Sequence, residues 1–162
     1  MSMNNNDILR RIRYTFDLSD SKMMEIFAMG GQEASRAEIS DWLKKDDHED
    51  QKSLYDKQLA VFLNGFITLK RGKKEGPPLK PEKSLNNNMI LRKLKIALNL
   101  KDEDILEIFD LVGLIVSKHE LSALFRNPNQ SQYRMCKDQF LRNFLYGLQE
   151  KYRPNPEKTE DS

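Results

Sequence analysis
Residues 4–71 of this chain recur 82 positions later, without a gap, as residues 86–153. The register opens with Asn4-Asn5-Asn6 on Asn86-Asn87-Asn88 and Ile8-Leu9-Arg10 on Ile90-Leu91-Arg92. It continues with Glu25-Ile26-Phe27 on Glu107-Ile108-Phe109, and with Ser35, Glu38 and Ser40 on Ser117, Glu120 and Ser122. It closes with Phe62-Leu63 and Gly65 on Phe144-Leu145 and Gly147, and Arg71 on Arg153. Roughly a third of the positions are identical, and chance similarity does not hold register over such a length, so the chain is a tandem duplication. Whatever one copy folds into, the other must fold into as well.

Two copies of so long a period do not suggest a solenoid, which stacks several short units into one core. Two small domains are expected instead: residues 3–71 and 85–153, with a Pro/Gly/Lys linker at 72–84 and a polar, disordered tail at 154–162. Met1 and Ser2 precede the repeating part and are left out of the fold. A domain of this size buries about 60% of its unfolded surface, so docking of one copy on the other would help each.

Hydrophobic spacing makes each copy helical. Ile8, Leu9, Ile12 and Phe16 form a stripe that Ile90, Leu91, Leu94 and Leu98 repeat, starting after an Asn triplet that suits a helix N-cap. Met23, Met24, Ile26 and Phe27 make a second apolar face that ends near Gly30-Gly31. Ser35-Arg36-Ala37-Glu38 and Ser117-Lys118-His119-Glu120 both read as capping boxes opening a short third helix, with Trp42 and Leu124 on its buried side. A fourth stripe runs Leu59, Phe62, Leu63, Phe66 and Ile67, matched by Leu141, Phe144, Leu145 and Leu148. Gly65 and Gly147 lie inside those last helices at a cost of about 1 kcal/mol each relative to Ala, which points to close helix packing. The expected fold is all-α: two homologous four-helix domains, each with a helix-turn-helix-like element.

Charge and composition exclude several classes. With 32% charged and 38% hydrophobic residues and a net charge of +2, the chain is neither a disordered segment nor a strongly basic nucleic-acid binder. It has no apolar run long enough to span a membrane and no apolar signal core, so a cytoplasmic protein with no membrane association is expected. A lone Cys136 cannot form an intramolecular disulfide, and its alignment with Leu54 marks a small core hydrophobe.

Nothing in the chain resolves into a catalytic pattern. His48 and His119 do not correspond between copies, and the acidic run Asp46-Asp47-His48-Glu49-Asp50 lacks the spacing of a cation loop. No catalytic, cofactor or metal residue is expected, and no enzyme. The polar residues present twice are Arg10 and Arg92, Glu25 and Glu107, and Arg71 and Arg153; ion pairs and caps explain them best, with Arg10 and Glu25 facing one another between the first two helices. The second and third helices resemble the helix-turn-helix of phage-repressor-type DNA readers, which would expose Arg36, Ser40, Lys44 and Lys45, with Lys118, Ser122 and Arg126 in the second copy. Against that reading, Glu33, Glu38 and Asp41 bring negative charge to the same surface, where phosphate contacts would dominate affinity.

The run Asn5-Asn6-Asp7-Ile8-Leu9-Arg10-Arg11-Ile12-Arg13-Tyr14, with Leu18-Ser19-Asp20, Phe62-Leu63-Asn64-Gly65 and Lys70-Arg71-Gly72, resembles the uncharacterised bacterial YehS-like family, a domain of unknown function (1456) that occurs in tandem. Both copies are covered. The resemblance implies a soluble bacterial protein and assigns no activity and no functional residues. The expected function is therefore a non-enzymatic interaction module, regulatory in character, binding a protein partner through a groove between or along the repeats. The alternative is nucleic-acid binding through the third helix of each repeat; a third reading, an enzyme of unknown class, would require Glu25, Glu107, His48 or His119 to converge in a deep pocket.

Overall fold
The computed structural model describes residues 3–154, and among these it contains eight α-helices and no strand. They are α1 (Asn5–Thr15), α2 (Asp20–Met29), α3 (Arg36–Leu43), α4 (Asp56–Arg71), α5 (Asn87–Ala97), α6 (Asp102–Asp110), α7 (Lys118–Leu124) and α8 (Asp138–Tyr152). Each of the last four starts 82 residues after its counterpart, so the duplication is one fold made twice. Met1, Ser2 and positions 155–162, which hold nearly all of the tail expected to be disordered, lie outside the described residues.

Local chemistry sets the helix starts. Asn4 accepts the Asp7 amide at 2.8 Å, and the Asp7 carboxylate accepts the Asn4 amide at 3.3 Å. Asn86 caps α5 by one bond alone, accepting the Met89 amide at 2.9 Å, since Met89 has no carboxylate to accept from the Asn86 amide. Between the first two helices of each copy one residue is left-handed, Asp17 at φ 51° and Asn99 at φ 52°. Short Asx side chains tolerate that conformation through local hydrogen bonds. Ser35 and Glu38 complete a capping box at α3, with bonds of 3.1 and 3.0 Å. At α7 only half of the expected box forms: Ser117 accepts the Glu120 amide at 3.0 Å, but no bond returns from the Glu120 carboxylate to the Ser117 amide.

Packing within a copy depends on glycine at the second–fourth helix crossing. A Cβ at Gly65 would stand 1.8 Å from the Ile26 carbonyl oxygen, and one at Gly30 would stand 1.9 Å from that of Val61. A Cβ at Gly147 would stand 2.4 Å from the Ile108 carbonyl oxygen. The helices therefore touch backbone to backbone, as the interior glycines suggested. Around this crossing Phe27 lies against Trp42 and Phe62, with ring centroids 5.3 and 5.2 Å apart, while Phe109 meets Phe144 at 5.7 Å. Leu59 and Leu141 are fully buried in equivalent places, and Trp42 and Leu124 are buried in theirs, 6% and 7% exposed.

The two copies share one core. α4 packs on α5 and α1 packs on α8, and the 82-residue offset converts the first contact into the second. The copies are thus related like the halves of a two-fold dimer. The linker is exposed through Lys80, then Pro81 and Glu82 become half-buried and Glu82 meets Lys93 at 3.0 Å.

Candidate functional site
The third helices expose fewer uncommitted cations than the sequence led us to expect. Arg36 reaches the Ser21 hydroxyl at 3.4 Å and Asp20 at 3.8 Å. Lys44 donates to Asp41 at 2.6 Å, and this bond holds the Asp41 carboxyl below and the Lys44 ammonium above their usual ranges. Lys118 meets Glu103 at 3.7 Å. Ser40 and Lys45 are exposed, whereas Ser122 and Arg126 are half-buried, and the buried Arg126 Nε has no hydrogen-bond partner. None of these seven residues lines the cleft between α1 and α8 described below.

Most polar residues present in both copies have structural partners. Arg10 donates to the Lys44 carbonyl at 2.6 Å and Arg92 to the Phe125 carbonyl at 2.7 Å, so each guanidinium closes the C-terminus of its third helix, where cations oppose the negative end of the dipole. Arg10 also pairs with Asp7 and approaches Asp46 at 3.7 Å. It does not face Glu25, which pairs instead with Lys22 at 2.9 Å, one turn along its own helix. Glu107 and Arg71 are exposed. Arg153 spans the repeats: it donates to the Tyr14 carbonyl at 2.6 Å, lies 4.1 Å over the Tyr14 ring and meets Asp17 at 3.5 Å.

The Asn triplets carry more than a cap. Asn5 donates to Asp56 at 2.8 Å and Asn87 to Asp138 at 2.7 Å, tying the first helix of each copy to the start of its fourth. Asn6 is buried and donates to the Trp42 and Lys52 carbonyls, both at 2.8 Å, while accepting the Leu54 amide at 3.1 Å. Asn88 makes the same three bonds to Leu124, Arg134 and Cys136, at 3.0, 2.8 and 2.8 Å. The signal was the triplet itself, since one N-cap needs only one Asn. These are scaffold residues, and they fix the loop that ends at α4.

What the scaffold leaves open is a cleft between α1 and α8. It encloses about 400 Å³ and is lined by Met3, Asp7, Arg10, Arg11, Tyr14, Asp46, Arg142 and Tyr146. Asp7, Arg10, Arg11 and Tyr14 fall on one face of α1 because they are spaced at three, four and seven residues, and Arg142 and Tyr146 are one turn apart on α8. The Arg11 guanidinium lies 4.2 Å over the Tyr146 ring and donates to Gln149 at 2.6 Å. Arg142 donates to Gln139 at 2.6 Å. The Arg153–Tyr14 stack joins the same seam through Tyr14. Arg10 and Asp46, weighed separately in the sequence, line this cleft, as do Asp7, Arg11 and Tyr14 of the run that carries the family resemblance; its two other arginines come from opposite repeats, and nothing in either repeat alone signals their meeting.

Other candidate chemistry is absent from the cleft. His48, His119, Glu25 and Glu107 do not line it. Among the described residues no three His, Cys, Asp or Glu side chains are grouped closely enough to hold a metal ion. Cys136 is buried, and desolvation pushes its thiol up to about 12. No described helix is long and apolar enough to cross a membrane.

Comparison with known proteins agrees with the duplication. The family described as "Protein of unknown function (DUF1456)" matches twice, at residues 5–72 and 87–153. The chain is 45% identical over 147 residues to the uncharacterized protein YehS of Escherichia coli (strain K12), covering 90% of this chain and 94% of that protein. No solved structure matches.

Proposed function
We propose, for a chain that belongs to the DUF1456 family and consists of two of its repeats, a non-enzymatic role as an interaction module that receives a protein partner in the cleft between α1 and α8. The observation that carries this reading is the cleft itself, about 400 Å³ built by side chains of both repeats. Arginine and tyrosine dominate its walls, the residue types enriched where protein interfaces concentrate binding energy. A cytoplasmic setting suits the free, buried Cys136.

A photo-crosslinking residue placed at Tyr146, and in a separate variant at Ser40 on α3, tests the reading in the source cell. A discrete protein adduct from position 146 that is absent from position 40 is expected. Protein adducts from neither position would refute it.

Nucleic-acid binding through α3 and α7 is the second reading, favoured by the exposed Arg36, Ser40 and Lys45. Pairing of Arg36 with Asp20, Lys44 with Asp41 and Lys118 with Glu103 weakens it, because those cations already have counter-charges. Phosphate binding releases counterions, so affinity for mixed duplex DNA would fall steeply with added salt. Absence of binding at low salt and micromolar protein removes this alternative.

A further inference from the structure
One face of the second repeat is apolar where the same place in the first is polar. In the first repeat Gln32, Glu33, Ala34 and Gln58 line a small hollow with Phe27 and Trp42. The 82-residue offset puts Leu114, Ile115, Val116 and Phe140 in their stead, beside Phe109 and Leu124. Phe140 lies against Phe109, with ring centroids 4.4 Å apart.

The turn that carries this difference has the same backbone in both copies. Gly31 and Gly113 are left-handed, at φ 99° and 76°, and donate to the Ala28 and Asp110 carbonyls at 3.0 and 2.9 Å. Gln32 and Leu114 donate to the Phe27 and Phe109 carbonyls at 3.3 and 3.0 Å. In such a helix end the residue after the glycine packs back on the last turn, which accounts for Leu114 against the core. It does not account for Ile115, which is 88% exposed. The first repeat makes the same turn with Glu33 in that place, so folding does not require an apolar side chain there. An isoleucine so placed gains nothing until another surface covers it. Leu111, four residues earlier, is exposed as well.

Charge changes along with polarity. Over residues 20–28 the first repeat carries Asp20, Lys22 and Glu25, whereas over 102–110 the second carries Asp102, Glu103, Asp104, Glu107 and Asp110 and no cation. Asp102 and Glu103 pair with Lys95 and Lys118 at 3.2 and 3.7 Å, and Asp104 accepts the Lys101 amide at 2.7 Å. Glu107 and Asp110 are exposed, and among the described residues neither meets a cation. Spacings of three and four place both beside Leu111 on the outer side of α6. With the exposed Glu120 on α7 set against Lys137 ahead of α8, the border keeps an excess of negative charge.

We infer that this face, with Leu111, Ile115 and Phe140 bordered by Glu107, Asp110 and Glu120, docks a protein segment whose large apolar side chains are flanked by lysine or arginine. The border selects the occupant. It attracts a basic flank and opposes the same face of a second copy, which would bring like charges together. None of these residues lines the α1–α8 cleft, so the inference stands apart from the reading of that cleft.

The probe is a synthetic peptide with a leucine pair between lysines, titrated into the full chain by fluorescence anisotropy. Two control peptides carry serine for leucine and glutamine for lysine. Only the first is expected to bind. Ile115→Glu, which gives the turn the residue that the first repeat carries, should weaken binding about tenfold or more without lowering the melting temperature. Ile115→Ser is the second variant should the glutamate disturb the turn. Asp110→Asn should weaken binding severalfold, and Asp47→Asn in the first repeat should leave it unchanged. No binding of the first peptide, equal binding of the serine peptide, or equal binding to both Ile115 variants would overturn the inference. Concentration-dependent self-association abolished by Ile115→Glu would overturn it too, because the occupant would then be a second copy.

Discussion

Replacing Asn6 with Ala should cost the first repeat about 3–5 kcal/mol. The side chain is 4% exposed and its amide joins three backbone groups, the Trp42 and Lys52 carbonyls and the Leu54 amide, at 2.8, 2.8 and 3.1 Å. Alanine leaves all three without a partner, and each buried orphan costs roughly 1–3 kcal/mol, less where water enters. Lys52 is exposed, so its carbonyl recovers some hydration, which brings the sum to the stated range. That is a large share of the ~5–15 kcal/mol that holds a typical domain folded. With a denaturant slope of about 2 kcal/mol per molar urea, the midpoint followed by circular dichroism should fall by about 2 M. Asn88 provides an internal replicate, because it makes the same bonds to Leu124, Arg134 and Cys136; Asn88→Ala should produce a similar loss. Asn6→Asp should be worse than Asn6→Ala, since it points a carboxylate at two carbonyls. A loss under about 1 kcal/mol for both alanine variants would refute the account, because the loops would then be held by packing without these bonds.

Gly65→Ala should lower the melting temperature more than Gly147→Ala, since its Cβ would stand 1.8 Å rather than 2.4 Å from a backbone carbonyl oxygen; about 3 kcal/mol is expected where α4 cannot move away from α2. Cys136 should resist iodoacetamide in the folded protein at mildly alkaline pH and react on unfolding. Its folded value of about 12 lies above that of an unfolded thiol, so its contribution to stability is complete below the unfolded value and is lost as pH rises towards 12. A fully reactive native thiol at pH 9 would contradict the burial. Arg153→Ala should cost about 1 kcal/mol by removing the stack on Tyr14 and the bond to its carbonyl, and should speed hydrogen exchange in the last turn of α8 without disturbing α4.

The helices were readable because their causes are local. Stripes such as Leu59, Phe62, Leu63 and Phe66, and stops such as Asp17-Leu18-Ser19, act within a few residues of themselves. Gly65 announced a close crossing for the same reason: an interior helical glycine is costly unless something uses the missing Cβ. Pairings between distant residues were less legible. Arg10 turns to the end of α3 and Glu25 to Lys22, although both recur in each copy and either could have served the other. Ser117 and Glu120 fit a capping box by spacing, yet a box needs the carboxylate to fold back onto the cap, a choice of rotamer that spacing does not determine. The role of Asn6 was hidden because its three partners lie 36, 46 and 48 residues away.

By itself, then, the sequence determined that one fold is made twice, that it is helical, and where most helices begin. Only the tertiary structure decided how the copies meet, because Arg11 and Gln149, or Lys93 and Asn64, become neighbours through burial across a seam and not through any periodicity along the chain. Two equivalent seams then diverged through side chains whose effect depends on what stands opposite. Ala60 and Glu82 help fill one; Arg142 and Tyr146 line the cleft that leaves the other open.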